Sequence, residues 1–546
     1  MSPSESLPDD LVGATLTVPG LLEHAATRFG DREAIVDHSV SPPLRLSYRD
    51  YASRVRAATQ AFVAAGIEPG DRVAIWAPNV WEWPVTLIAL QAAGAVLVPL
   101  NTRYKGSEAS YILNTSRAKL LFTVQGFLGN DYVSMLEGHD LTHLERIVIL
   151  RGEVPAGAQS FADFLAEGDT AEAAALAAGR SAALKPSDLA DILFTSGTTG
   201  APKGVMCTHE QVVRGFESWG TLVGLRAEDR YLVINPFFHS FGYKAGIVAT
   251  LVKGATLVPL ATFDVDAAME LIELERITCI PGPPTIYQTI INHPNFDAAK
   301  LSSLRLAVTG AASVPVQLIR DMREILGFET VLTAYGLTES CGIATVSRHD
   351  TPDEIIANYS GKAIPGVEVI VADESGVALA PGEPGEVLVR GYPVMLGYFE
   401  DAAKTAETID ADGWLHTGDI GVMTADGYLK ITDRMKDMFI TGGFNAYPAE
   451  IESLLSEHPD IAASAVVGIA DDRLGEVGHA FVQLRPGSAA TPDELYRWAR
   501  EHMANYKVPR GFTVVDAFPL NASGKVLKYE LRDRLVAAEQ TDRDGA

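Results

Sequence analysis

The chain has 546 residues, 47% of them hydrophobic, and its 44 Lys and Arg against 70 Asp and Glu give a formal net charge of −26. That length exceeds what one hydrophobic core serves, so two or more domains are expected, and the charge excludes a nucleic-acid backbone or an anionic membrane as the main partner. Cys207, Cys279 and Cys341 stand far apart with no Cys-x-x-Cys pair, which excludes a disulfide framework or a zinc site and fits buried thiols in a reducing cytoplasm.

Residues 1–17 read as a polar leader carrying Glu5, Asp9 and Asp10 without a secretory signal, and the first helix is expected over 21–28. The longest apolar stretch, 85–100, is broken by Gln91, Gly94 and Pro99. It is short for a membrane span and reads as a buried helix followed by a strand. From Arg72 onward, β-rich runs at 73–76, 95–100, 119–124 and 146–150 alternate with helical stretches, the pattern of crossover units and largely parallel sheet. The Ala-rich segment 171–183 reads as a surface helix leading to a linker.

The strand-like run 191–194 ends in Thr-Ser-Gly-Thr-Thr-Gly-Ala-Pro-Lys-Gly, residues 195–204. Its glycines let the backbone turn tightly and present amide hydrogens, its hydroxyls add donors and Lys203 adds a charge, a combination suited to phosphate oxygens. It is not a Walker loop, because Ala201 and Pro202 separate Gly200 from Lys203. A second alternation follows at 231–235, 255–260, 277–281, 304–309 and 330–333. Gly94-Ala-Val-Leu-Val-Pro-Leu100 is mirrored by Gly254-Ala-Thr-Leu-Val-Pro-Leu260, which suggests two similar sheet units packed face to face. A nucleotide belongs in a cleft between them, at the C-terminal strand ends. After Gly361, short runs at 367–372, 386–390 and 428–432 divided by Gly-Pro turns read as a small barrel or curled sheet. Beyond a charged junction at 433–437 lies a unit of mixed helix and strand, able to move as a body.

Five later motifs follow the loop in order: Tyr-Gly-Leu-Thr-Glu (335–339), Thr-Gly-Asp (417–419), Asp-Arg-Met-Lys-Asp (433–437), Gly-Gly-Phe-Asn-Ala-Tyr-Pro-Ala-Glu (442–450) and Asn-Ala-Ser-Gly-Lys (521–525). With the loop, this ordered set closely resembles the adenylate-forming superfamily of acyl-CoA synthetases, peptide-synthetase adenylation domains and luciferases. The resemblance implies a multi-domain α/β protein: an N-terminal domain over 1–432 with two stacked α/β sheets and a small β-barrel, a hinge at 433–437, and a mobile C-terminal α+β domain over 438–546.

The activity so implied is an AMP-forming carboxylate–CoA ligase, converting ATP, a carboxylic acid and CoA to acyl-CoA, AMP and pyrophosphate through an acyl-adenylate. A carboxylate cannot acylate a thiol directly, because oxide is a hopeless leaving group; activation at the α-phosphate of ATP makes AMP the leaving group instead. Such a site must bind triphosphate and Mg2+, neutralise charge at the α-phosphate, and later admit a thiol. The resemblance assigns the β- and γ-phosphates to Thr195, Ser196, Gly197, Thr198, Thr199, Gly200 and Lys203. Adenine falls to Tyr335 and Gly336 with a wall at Gly310, Ala311 and Ala312, the α-phosphate to Thr338, the ribose to Asp419 and Arg434, and Mg2+ to Glu339 with Thr195. Lys525 is the implied catalytic cation. Gly442, Gly443 and Phe444 are the implied CoA slot, exchanged for Lys525 when the small domain turns about Lys436.

The acyl pocket is implied at Gly310 and in Asn-Pro-Phe-Phe-His-Ser-Phe-Gly-Tyr-Lys (235–244), through His239, Phe241, Gly242, Tyr243 and Lys244. His239 reads either as a gate beside the acyl carboxylate or as a structural histidine. It stands where amino-acid adenylation domains place an Asp, which argues against an amino-acid substrate. Lys244 reads either as a lysine snorkelling to solvent or as a donor to a polar group on the acid. This stretch, with 281–287 and 332–339, is similar to bacterial ligases acting on the indane-type propanoates left by sterol degradation. Fatty-acyl ligases and acyl-AMP ligases serving a carrier protein remain alternatives. A cytoplasmic location is expected, no integral membrane segment, and a homodimer is compatible with the sequence.

Overall fold

A computed structural model describes residues 11, 16–195, 202–310, 314, 316–434, 437–441, 444–471, 474–503, 505–520 and 526–535. Two large sheets organise them. The eight-stranded sheet runs, in spatial order, Gly397–Tyr398, Lys203–Thr208, Leu189–Thr195, Val96–Pro99, Arg72–Trp76, Ala118–Val124, Arg146–Arg151, Gln159–Ser160. The nine-stranded sheet runs Lys362–Ala363, Thr345–Val346, Thr330–Tyr335, Leu306–Thr309, Cys279–Pro281, Arg230–Val233, Thr256–Pro259, Glu33–Asp37, Leu44–Ser47. Central pairs in both are parallel, as the alternating pattern predicts.

The face-to-face packing follows from the pleat. Along the nine-stranded sheet Ile35, Tyr231, Val233, Leu257, Cys279, Leu306, Val308 and Leu332 face a core shared with Val73, Leu97 and Leu121 of the other sheet. The intervening Val36, Leu232, Val258, Ile280, Ala307 and Val331 face a second core built with helices Val265–Glu275, Pro284–Ile291 and Val316–Glu324. A period of two thus gives each strand two apolar faces. The short repeat is structural: Val96–Pro99 and Thr256–Pro259 each follow a helix closed by a left-handed glycine, Gly94 (φ 89°) and Gly254 (φ 74°). The helix Glu82–Ala92 is buried at every position, which explains an apolar stretch with no polar stripe. Among the described residues no helix is long and apolar enough to cross a membrane.

The polar-leader reading is corrected at two points. Leu11 and Thr17 are buried, and the first helix is Val18–Phe29, starting three residues before the expected Leu21. Thr17 caps it by accepting from the Gly20 N–H, with a proline in the first turn, where a missing N–H costs nothing. The expected barrel or curled sheet takes the form of a four-stranded antiparallel sheet of Val367–Ala372, Pro384–Gly391, Leu415–Met423 and Leu429–Arg434. A further sheet joins Phe439–Thr441, Phe444–Ala446, Ile461–Asp471, Gly475–Leu484 and Gly511–Val514, over its own cores. All three cysteines are buried and free, as expected.

One buried group gives the fold a pH dependence. His209 opens the helix His209–Val223 with no exposed surface, and its Nδ1 accepts from the Val18 N–H at 3.4 Å. Burial pushes its pKa down to about 4, and a helix N-terminus also disfavours a cation. Between the unfolded pKa and about 4 only the unfolded chain binds this proton, so stability falls as pH falls through that window, by about 3 kcal/mol in all. His209→Gln is expected to flatten that decline, read as a smaller shift of the denaturation midpoint between pH 6.5 and 4 than in wild type.

Candidate active site

The strands Leu189–Thr195 and Lys203–Thr208 form an antiparallel hairpin whose last pair, Thr195 and Lys203, flanks the loop. Ser196, Gly197, Thr198, Thr199 and Gly200 lie outside the described residues. Both flanking residues are half-buried, so the hairpin delivers a hydroxyl and an ammonium to the loop's mouth. The hairpin needs Gly204, where a Cβ would come within 2.6 Å of Ile192 Cγ2.

Opposite stands the turn after strand Thr330–Tyr335. A Cβ on Gly336 would fall 2.5 Å from the backbone of Gly342 and Ile343, so the chain folds back there only through glycine. A short helix, Thr338–Ser340, follows, and the Ser340 hydroxyl accepts from the Leu337 N–H at 2.9 Å. Thr338 and Glu339 are half-buried. Gly310 ends the neighbouring strand, where a Cβ would approach the Ala334 carbonyl at 3.1 Å, so the two strand ends run close; Ala311 and Ala312 lie outside the described residues.

Two contacts join these parts. The Tyr335 hydroxyl donates to Asp419 Oδ2 at 2.7 Å. Asp419 is 3% exposed and lies after Gly418, whose left-handed turn (φ 68°) is tied by its N–H to Glu386 Oε1 at 3.0 Å. The backbone of Arg434 pairs with that of Asp419, so the two expected ribose residues are register partners. The second contact involves a residue sequence reasoning missed. The Tyr398 hydroxyl donates to Glu339 Oε1 at 3.0 Å, and the Lys203 ammonium lies 5.6 Å from the centre of its ring. Burial, and then the Glu339 charge, raise the phenol's pKa, so Tyr398 stays a donor. It is held there because Gly397–Tyr398 pairs with Lys203–Thr208 and the Met395 N–H donates to the Glu339 carbonyl at 2.8 Å.

The acyl-pocket residues divide. His239 is exposed at the start of the short helix Ser240–Gly242, which it caps. Desolvation by the surrounding protein, with the Lys244 charge adding, lowers its pKa. Its Nδ1 accepts from the Phe241 N–H at 3.2 Å, which assigns the neutral ring's proton to Nε2. Phe241 is half-buried. Gly242 is forced, since a Cβ would sit 2.1 Å from the Pro236 carbonyl oxygen. Tyr243 and Lys244 have no exposed surface, which overturns the reading of Lys244 as a snorkelling lysine. Its Nζ lies 3.2 Å from Asp191 Oδ1. Burial is the largest single influence and works against the charge, but Asp191, with Cys207, Cys341 and Tyr243 adding to it, holds the ammonium above its ordinary pKa.

Lys525, Lys436, Gly442 and Gly443 lie outside the described residues, and Phe444 is described by its backbone only, in the strand Phe444–Ala446. Among the described residues no group of three His, Cys, Asp or Glu forms a metal cage. Mg2+ held with a nucleotide needs none: one or two carboxylates plus phosphate oxygens and water complete its shell, and Glu339, joined through Tyr398 to the Lys203 ammonium, offers one such carboxylate.

The family model described as AMP-binding enzyme matches residues 22–399, and that of the AMP-binding enzyme C-terminal domain matches 450–525. A 7a-methyl-1,5-dioxo-octahydro-indenyl-propanoyl:CoA ligase of Rhodococcus jostii is 46% identical, over 95% of this chain and 98% of its own. One of the same name from Mycobacterium tuberculosis is 47% identical over the same shares. The structure of the anthranilate CoA ligase AuaEII in complex with anthranoyl-AMP superposes with a TM-score of 0.84 at 27% identity, covering 96% of this chain and 98% of that one.

Proposed function

The chain belongs to the AMP-binding enzyme family, and within it we propose a ligase for a compact, lipophilic acid: a bicyclic keto-propanoate of the kind left by steroid degradation. The enzyme is an AMP-forming acyl-CoA ligase. It uses ATP and CoA and passes through an acyl-adenylate. The single observation carrying the choice of acid is near-full-length identity of 46–47% to two ligases named for an indenyl propanoate.

In this reading Glu339 holds Mg2+ on the triphosphate, with Thr195 beside it, and Lys203 and the loop hydroxyls take the β- and γ-phosphates. Tyr335 lies against adenine while its hydroxyl keeps Asp419 aimed at the ribose. Arg434 adds a second contact there, and Thr338 reaches the α-phosphate. The neutral His239 offers its Nε2–H at the acyl gate, beside Phe241 and Gly310. Lys525 neutralises charge as the carboxylate attacks. Rotation of residues 438–546 about Lys436 then withdraws it and brings Gly442, Gly443 and Phe444 to the cleft for CoA.

The test is a panel of acids assayed for AMP release with ATP, Mg2+ and CoA. A bicyclic keto-propanoate is expected to exceed octanoate and palmitate in kcat/KM by about 10²-fold, since each misplaced methylene or unpaired ketone costs about 1–3 kcal/mol. A preference for the straight chains would replace this acid with the medium- or long-chain alternative.

A further inference from the structure

Gln91, Asp191, Cys207, Tyr243, Lys244 and Cys341 meet inside the core shared by the two large sheets, none with any exposed surface. Lys244 Nζ lies 3.2 Å from Asp191 Oδ1 and donates to Cys341 Sγ at 3.4 Å. The Gln91 amide donates to the Tyr243 hydroxyl at 3.2 Å and to the Ala190 carbonyl at 3.0 Å. Stability is a poor reason for such a cluster, because apolar side chains of similar volume usually serve a core at least as well as a buried ion pair.

What sets it apart is the placement of its members. Asp191 lies in the strand that enters the phosphate loop, and its register partner Cys207 lies in the strand that leaves it. Lys244 stands five residues after His239, in the π-helical turn Tyr243–Val248 that continues the helix His239 caps. Cys341 follows Glu339 by two residues with φ 58°, a left-handed conformation that a side-chain-bearing residue keeps only when its surroundings hold it. The Lys244 hydrogen bond is one such hold.

We propose that Lys244 is a positioning residue which, through Asp191 and Cys341, fixes the phosphate-loop hairpin, the His239 turn and the Glu339 turn in one mutual geometry. Enclosed as it is, its ammonium acts through these residues and not on substrate. The proposal rests on reading the loop and Glu339 as the nucleotide site. Displacement of the Glu339 turn should then slow adenylation, the half-reaction that needs triphosphate and Mg2+, and leave thioester formation alone.

The experiment uses the full chain and three variants. Lys244→Met/Asp191→Val removes both charges together, so neither is left buried and unpaired. Cys341→Ala removes the thiol contact alone, and Cys341→Ser keeps an acceptor. Acid-dependent pyrophosphate release, its kcat and KM for ATP, and thioester formation from supplied acyl-adenylate are measured for each, beside the melting temperature. The double variant is expected to lose roughly tenfold in kcat of adenylation while thioester formation stays within about twofold. Cys341→Ala should lose several-fold and Cys341→Ser should recover most of it. Wild-type adenylation in the double variant and in Cys341→Ala, or equal losses in both half-reactions, would overturn the proposal; should the double variant not fold, the two Cys341 variants decide by the same criteria. A wild type that releases no pyrophosphate with any acid would instead refute the assignment of the nucleotide site.

Discussion

Lys525→Ala is expected to lower acid-dependent pyrophosphate release by about 10²–10³-fold, the cost of deleting one aimed charge-stabilising group at a transition state, and to leave thioester formation from supplied acyl-adenylate near the wild-type rate. The asymmetry follows from charge. When a carboxylate attacks the α-phosphate, two anions approach and negative charge gathers on the phosphoryl oxygens. A cation between them is worth most at that moment. In the second half-reaction a thiol attacks an acyl carbonyl and AMP departs, with no second anion to offset. Gly443 carries the opposite expectation. Pantetheine is a narrow chain, so a tunnel wall tolerates it only where no side chain intrudes. Gly443→Trp should therefore block thioester formation and spare adenylation. Both variants are measured in both half-reactions, and equal damage in the two steps would refute alternation of the C-terminal domain.

Glu339→Gln is the second large effect. The amide keeps the size of the side chain and an oxygen but loses the charge that a hard divalent cation prefers. A loss of about 10²-fold or more in kcat of adenylation is expected, with a raised Mg2+ requirement that excess Mg2+ partly offsets. Tyr398→Phe removes only the hydroxyl that donates to Glu339 Oε1. As an outer-shell partner it should cost about 10-fold, again recoverable with Mg2+. A Glu339→Gln enzyme whose Mg2+ dependence matches wild type would remove Glu339 from the metal site.

The parts legible in the sequence were those written locally. Apolar runs of strand length gave the parallel strands, and the repeat at Gly94 and Gly254 gave the matching helix-to-strand turns of the two sheets. The motif at 335–339 carried its own geometry, since Gly336 is forced by a backbone approach only six residues away in the chain. Tyr398 was not legible. Its place beside Glu339 comes from pairing with Val205, and a Gly-Tyr pair in a loop carries no sign of that. The early helix start was readable in Thr17-Val-Pro, a cap followed by a first-turn proline, and the largely apolar stretch 11–16 before it already set that segment apart from the acidic stretch 5–10. Lys244 is the instructive case. A lone lysine in an apolar run ordinarily reaches water, yet Asp191 is a lone aspartate in the apolar run 190–194, and two opposite charges so placed could have been read as a pair. The four-stranded sheet's Gly-Pro turns marked where strands end without marking closure.

The most direct test of the central claim, that one cleft makes an acyl-adenylate before any thiol arrives, is ATP–pyrophosphate exchange measured with an acid panel in the absence of CoA. The account predicts exchange that depends on the acid and on Mg2+, with sustained AMP release only after CoA is added. Pyrophosphate exchange absent with every acid, while CoA thioester still forms once CoA is present, would contradict it.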